Sequence, residues 1–304
     1  MGIMNKLHSL KKYWCWERIK NNVKFLIKYD LVDEQYRLKD EIIEDCVYEY
    51  EELKKSLVYL KVLNEIETVK LLAECPKSFA RYGDGEIHVM CGNDAPFQKY
   101  HPELARKMKD ILIKKRENLY VGLNSSYFQS PTKYGPTNRK FYRLKGTEYR
   151  RFFNEICDQE NIYLDACALG GYFRQGESFD IDQHYQNIRN LFKDKKICIV
   201  CGEKILDKLE YDLFDLSAEK TFIYAPKKNA FDEYDSILSR VTSEVSKDTL
   251  VCVVLGMTAT VLVADLADEG YIAWDVGHSA KEYDAFMRKI EKSDKVINDF
   301  FAPD

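Results

Sequence analysis

From Lys77 onward, short apolar runs alternate with stretches whose apolar residues recur at helical spacing. The runs predict strands over 78–82, 118–122, 162–167, 196–201, 221–224, 249–255 and 271–274. Helical periodicity predicts helices over 102–116, 137–157, 181–192, 204–216, 230–245, 258–269 and 280–290. An α/β chain of this kind joins its strands by right-handed crossovers, which yields a mostly parallel sheet with helices on both faces. Ligands of such sheets sit outside the carboxyl ends of the strands, so the loops that follow strands are the places to search.

The loop after the first of these strands reads Arg81-Tyr-Gly-Asp-Gly-Glu86. Asp84 and Glu86, separated by one glycine, can turn to the same side of a tight loop. Hard divalent ions such as Mg²⁺ or Mn²⁺ prefer oxygen ligands of this kind, completed by water and substrate phosphates. The alternative is a solvated turn. Gly83 and Gly85 would let the backbone approach a ligand closely. A dinucleotide fingerprint is excluded, because the run Gly83-Asp-Gly-Glu-Ile-His88 lacks the third glycine of G-x-G-x-x-G. The stretch 129–143, rich in Pro, Gly, Lys and aromatics, has the composition of a mobile substrate loop or of an ordinary surface loop.

Two later loops complete the set. Gly256-Met-Thr-Ala-Thr260 lies between a buried strand and an apolar helix, a place where free N–H groups and the helix dipole favour an anion. Gly256, Thr258, Ala259 and Thr260 are therefore candidates for a phosphate cradle, with plain capping by Thr258 as the other reading. His278 follows the last predicted strand, and Glu282 lies four residues on, which places both on one face if the helix has begun.

Residues 1–75 read as a helical extension without strand signal. Residues 1–28 hold seven Lys/Arg, one acidic residue and two Trp, whereas residues 29–55 hold ten Asp/Glu and four Lys/Arg. The basic stretch either packs on the acidic one or on a second subunit, or lies on an anionic membrane surface. A net charge of -4 argues against a nucleic-acid binder. No leader pattern or run long enough to span a membrane is visible, and the nine scattered cysteines suit a reducing compartment, so the expected location is the cytoplasm or its membrane face. Cys198 and Cys201 have the C-x-x-C spacing, but within a strand such residues face opposite ways, which reads as core.

Three separated stretches, Phe79 to Glu86, Leu255 to Leu266 and Asp275 to Tyr283, resemble in order and spacing the bacterial GT-D-type glycosyltransferases, a family first catalogued as a domain of unknown function. Supporting matches are Cys201-Gly-Glu203, Asp212-Leu-Phe214 and Pro226 to Phe231. The resemblance covers about residues 70–290 and implies two parts, an extension over 1–75 and a Rossmann-like domain over 76–304. It further implies a UDP-sugar donor, a divalent cation held by Asp84 and Glu86, and transfer to a lipid- or protein-linked glycan of the cell surface. On it, Arg81, Gly83, Gly202, Glu203, Asn229, Gly256, Thr258, Ala259 and Thr260 would line the donor. His278 and Glu282 are the expected catalytic pair, with Glu282 as proton acceptor if the reaction inverts configuration. A non-catalytic binding subunit and a nucleotide-sugar hydrolase are the alternatives. The chain departs from the family pattern at Leu206, at Lys208 to Tyr211, at Met257 where proline is usual, and in the stretch 168–174, which lacks the usual Arg-Pro pair.

Overall fold

The structure, a computed structural model, describes residues 42–43 and 60–301. The basic and acidic segments over 1–55 fall outside these residues, apart from Ile42 and Ile43. Eight strands build one sheet: β1 Lys61–Val62, β2 Ser78–Tyr82, β3 Leu119–Leu123, β4 Ile162–Asp165, β5 Lys196–Gly202, β6 Glu219–Ala225, β7 Leu250–Val254 and β8 Ala273–Asp275. Their spatial order is β1-β4-β3-β2-β8-β7-β5-β6, and every pairing is parallel.

The strands are apolar on both sides, so each face needs a helical layer. Ala80 and Tyr82 of β2 and Val251 and Val253 of β7 point into one cluster, with helices Asp84–Met90, Pro102–Ile113, Pro136–Ile156, Tyr234–Glu244 and Met257–Asp268. Phe79, Leu250 and Cys252 point into the other, with helices Glu65–Glu74, Ile181–Phe192, Ser279–Met287 and Asp294–Phe301. Crossovers that run toward β1 all lie on the first face, and those that run toward β6 all lie on the second. A constant right-handed crossover demands this partition. Cys198 belongs to the first cluster and Cys201 to the second, as the strand period requires.

Ser78 stitches the middle of the sheet. Its hydroxyl donates to the Tyr271 carbonyl at 3.0 Å and accepts from the Ala273 N–H at 2.9 Å, which sets β8 beside β2. Helix Met257–Asp268 presses on both strands, and ten of its twelve residues are buried. That explains a helix sequence apolar nearly all round.

The structure corrects four expectations. Residues 61–62 pair with β4 as an edge strand, and the helix Glu65–Glu74 packs on the second face, so the end of the 1–75 stretch is part of the sheet. The predicted helix over 204–216 is a run of turns. Lys204 takes a left-handed φ of 60°, the N–H groups of Glu210 and Tyr211 donate to Asp284 Oδ1, and Phe214 N–H donates to Asp212. Those donors are spent on carboxylates instead of on carbonyls four residues back. The stretch 129–143 is only partly loop, because the long helix starts at Pro136. The loop holding Asp84 and Glu86 is the first turn of a helix, Asp84–Met90.

Candidate active site at the carboxyl end of the central strands

The two glycines of Gly83-Asp-Gly-Glu86 weaken helix propensity, which is why pattern alone gives a loop there. Glu86 reverses that. As third residue of the helix, its Oε2 accepts the Gly83 N–H at 2.7 Å, satisfying an end-of-strand donor, while Ile87, Val89 and Met90 are buried. Asp84, the first helical residue, is exposed, and Glu86 is half-buried. Burial pushes the Glu86 carboxyl up to about 7, against the Gly83 N–H and with added repulsion from Asp275 and Asp84.

Arg81 holds the floor of this region. Its Nη1 donates to the Ala166 carbonyl and its Nη2 to Asp275 Oδ1, both at 2.8 Å, so one guanidinium links β2 to the ends of β4 and β8. Burial works against its charge, yet Asp275 raises its pKa overall. Asp275, 4% exposed, is pushed up by burial and pulled back by Arg81 and the Gly277 N–H. Gly277 has φ 46°, and a Cβ there would lie 1.9 Å from Arg81 Nη2, so glycine is required twice over. Arg81 is thus engaged with protein groups.

The residues present suit a divalent cation in one specific sense. Among the described residues, no three His, Cys, Asp or Glu side chains are grouped to hold a metal by themselves. Asp84 and Glu86 form no ion pair with Lys or Arg among these residues, while Asp275, whose charge Glu86 feels, already has Arg81. An excess of negative charge with two protein oxygens on offer fits an ion that completes its shell with water and substrate phosphate.

Opposite Glu86 stands the turn after β7. Gly256, at φ 52°, is the N-cap of helix Met257–Asp268 and brings no side-chain cap. Thr258 is therefore not the cap. Its hydroxyl donates to Gln98 Oε1 at 3.2 Å, Thr260 donates to the Arg81 carbonyl at 3.0 Å, and both are fully buried, as is Ala259. The turn can offer an anion only its backbone. Met257 reaches across to Gly85, where a Cβ would lie 3.1 Å from its Cε, so the starts of the two helices meet.

Glu282 and His278 sit after β8 with different neighbours. Glu282 Oε2 accepts the Gly171 N–H at 2.8 Å from the loop after β4. Burial raises its pKa, opposed by that N–H and by Arg174 and Arg81. The His278 ring lies among Phe97 at 5.7 Å, Phe301 at 5.5 Å and Phe300 at 6.4 Å. Gly202 is closed over, since a Cβ would be 2.5 Å from Ile205 Cδ1, and it stands three strands from β2, about 14 Å along the sheet. Glu203 is exposed in the adjoining turn. Asn229, at φ 54°, accepts the Lys99 N–H at 2.8 Å and donates its own N–H to the Phe97 carbonyl at 2.9 Å, which pins the 93–99 loop over Gly256.

One buried group has no counterpart in the sequence reading. Arg174 pairs with Asp165 at 2.8 Å and Glu65 at 3.2 Å, and Glu65 also meets Lys133 at 3.1 Å. Asp165 Oδ1 accepts the N–H groups of Ser125 and Cys167, tying the loops after β3 and β4 together. The available signal was Asp165 itself, a charge closing an apolar run.

Comparison with known proteins bears on the family and the fold. The sequence profile of the glycosyltransferase GT-D fold matches residues 79–302. A probable glycosyl transferase of Streptococcus gordonii is 29% identical over 229 residues, 75% of this chain and 33% of that protein. Glycosyltransferase GlyD of Streptococcus pneumoniae is 27% identical over 233 residues, 76% of this chain and 28% of that protein. The chain thus spans about a third of the length of these curated relatives. A solved structure described as the highly conserved domain of unknown function 1792, with a distinct glycosyltransferase fold, aligns with a TM-score of 0.72 at 31% identity, covering 81% of this chain and 86% of that one. A glycosyltransferase from Streptococcus sanguinis aligns with a TM-score of 0.70 at 27% identity, over 76% and 85% of the two chains. With a family profile spanning most of its length and solved structures that align with it over most of both chains, the chain belongs to the glycosyltransferases of the GT-D fold.

Proposed function

We propose that this chain transfers a sugar from a UDP-linked donor to a lipid- or protein-linked glycan, with a divalent cation, Mn²⁺ or Mg²⁺, held by Asp84 and Glu86. The observation that carries the reading is the placement of Asp84 and Glu86 on one helical turn at the carboxyl end of the central strand, with no Lys or Arg ion pair to either among the described residues. When bound, such an ion supplies charge neutralisation for the departing diphosphate.

The residues divide the remaining work. Glu86 is fixed by the Gly83 N–H and Asp84 is exposed on the same helical turn, so one is a rigid ligand and the other an adjustable one. The N-terminal backbone of helix Met257–Asp268 faces the same edge and favours phosphate charge. Arg81 keeps Asp275 in place and orients the turn before His278. Glu282, held by Gly171, is the group to take the proton from an attacking acceptor hydroxyl.

The test is UDP release from a panel of UDP-sugars with Mn²⁺. At least one sugar should turn over, and excess chelator should stop it. Release of sugar phosphate in place of UDP would assign hydrolysis, and undiminished turnover in chelator would remove the cation.

A further inference from the structure

We propose that Gly170 and Gly171 form a backbone seat that positions the Glu282 carboxylate, making both glycines positioning residues for the transfer step. The inference rests on the reading of Glu282 as proton acceptor. The two glycines are required for different reasons. Gly171 has φ 118°, a conformation that side chains rarely adopt, and its N–H donates to Glu282 Oε2 at 2.8 Å. Gly170 has no such backbone demand, since its φ is not positive. The three atoms nearest to a Cβ there all belong to Glu282: Oε1 at 2.8 Å, Cδ at 3.1 Å and Oε2 at 3.2 Å. A side chain at 170 would meet the carboxylate first and displace it.

The seat is fixed from below. The Gly171 carbonyl accepts the N–H groups of Arg174 at 3.1 Å and Gln175 at 2.9 Å, and Gly170 N–H donates to Cys167. Arg174 in turn is locked by its ion pairs with Asp165 and Glu65. The helix that carries Glu282 is equally constrained, because Tyr283 and Asp284 are buried and Asp284 holds the N–H groups of Glu210 and Tyr211. With both sides immobile, one oxygen of Glu282 is committed to Gly171 and the other lies over the bare Cα of Gly170. That is how a base is held on a rigid scaffold. Arg174 and Arg81 nearby favour its charged form against burial.

A double-mutant cycle tests the seat. Gly170→Ala should lower UDP-release turnover about 100-fold, the cost of displacing a reacting group by around an ångström, with KM for the donor changed less than about twofold. Glu282→Asp withdraws the carboxylate by about 1.5 Å and clears the added methyl. The double variant should therefore match Glu282→Asp in turnover and in melting temperature. Turnover is read with UDP-glucose, UDP-galactose and UDP-N-acetylglucosamine in Mn²⁺. Full turnover in Gly170→Ala, or losses that multiply in the double variant, would overturn the proposal. Should Gly170→Ala fail to fold, recovery of folding by Glu282→Asp supports the contact, and continued failure overturns it. If Glu282→Gln keeps full turnover, or the wild type turns over no sugar, the functional reading fails and the catalytic role of the seat falls with it. The melting cycle then reports the contact separately.

Discussion

Asp84 and Glu86 stand two residues apart, yet one is exposed and the other is half-buried with a carboxyl raised to about 7. Their substitutions should separate accordingly. Asp84→Ala removes a solvated carboxylate and should shift unfolding free energy by less than about 0.5 kcal/mol. Glu86→Ala exposes the Gly83 N–H and should cost about 1 kcal/mol, the worth of a lost helix cap. Both should abolish cation-dependent UDP release. Urea unfolding beside the turnover assay checks the pair, and full activity in either variant would refute the metal assignment.

At the level of elements, the buried cluster of Glu65, Arg174, Asp165 and Lys133 joins the helix Glu65–Glu74 to the loops after β3 and β4. Glu65 is 2% exposed. Burial would raise its pKa, but Arg174 and Lys133 outweigh it and hold the carboxyl at about 2. Because the folded value lies below the ordinary 4.5, the stabilisation is full above that pH and is lost as pH falls toward 2. Glu65→Gln should therefore be on the order of 3 kcal/mol less stable than wild type at neutral pH, and the gap should shrink between about pH 5 and 2. Denaturant midpoints at pH 7 and pH 3 measure it. A gap independent of pH would mean that Glu65 contributes by packing alone.

On the scale of the whole molecule, the sheet gathers its working groups at one edge, and among the described residues no helix is long and apolar enough to cross a membrane. The glycan acceptor of the proposed reaction would reside at a membrane or on a protein. Residues 1–28, outside the described part, carry seven basic residues and two Trp, and each Lys or Arg near an anionic surface is worth about 1 kcal/mol. The full chain should sediment with anionic vesicles at low salt and be released by high salt, and a chain lacking residues 1–28 should not sediment. Equal sedimentation of both, or of neither, would assign this segment to packing.

The period of the apolar runs alone determined the class of fold, because a strand buried on both faces has no other pattern to show. Strand β2 and the helix Ile181–Phe192 match their expected bounds residue for residue. The acidic pair and the turn at Gly256 were legible for the same reason, since loops after parallel strands can be located without coordinates. What pattern could not supply was the use made of each donor and acceptor. Thr258 reads as a cap and is buried against Gln98, while 204–216 reads as a helix and gives two of its N–H groups to Asp284. Arg174 sits in an unremarkable loop and closes an ion cluster with Glu65, 109 residues away. These outcomes depend on which groups the crossovers bring together, and a hydrogen bond or ion pair forms at a distance in space that spacing along the chain does not encode. Tertiary structure alone therefore decided that Gly170 and Gly171 seat Glu282.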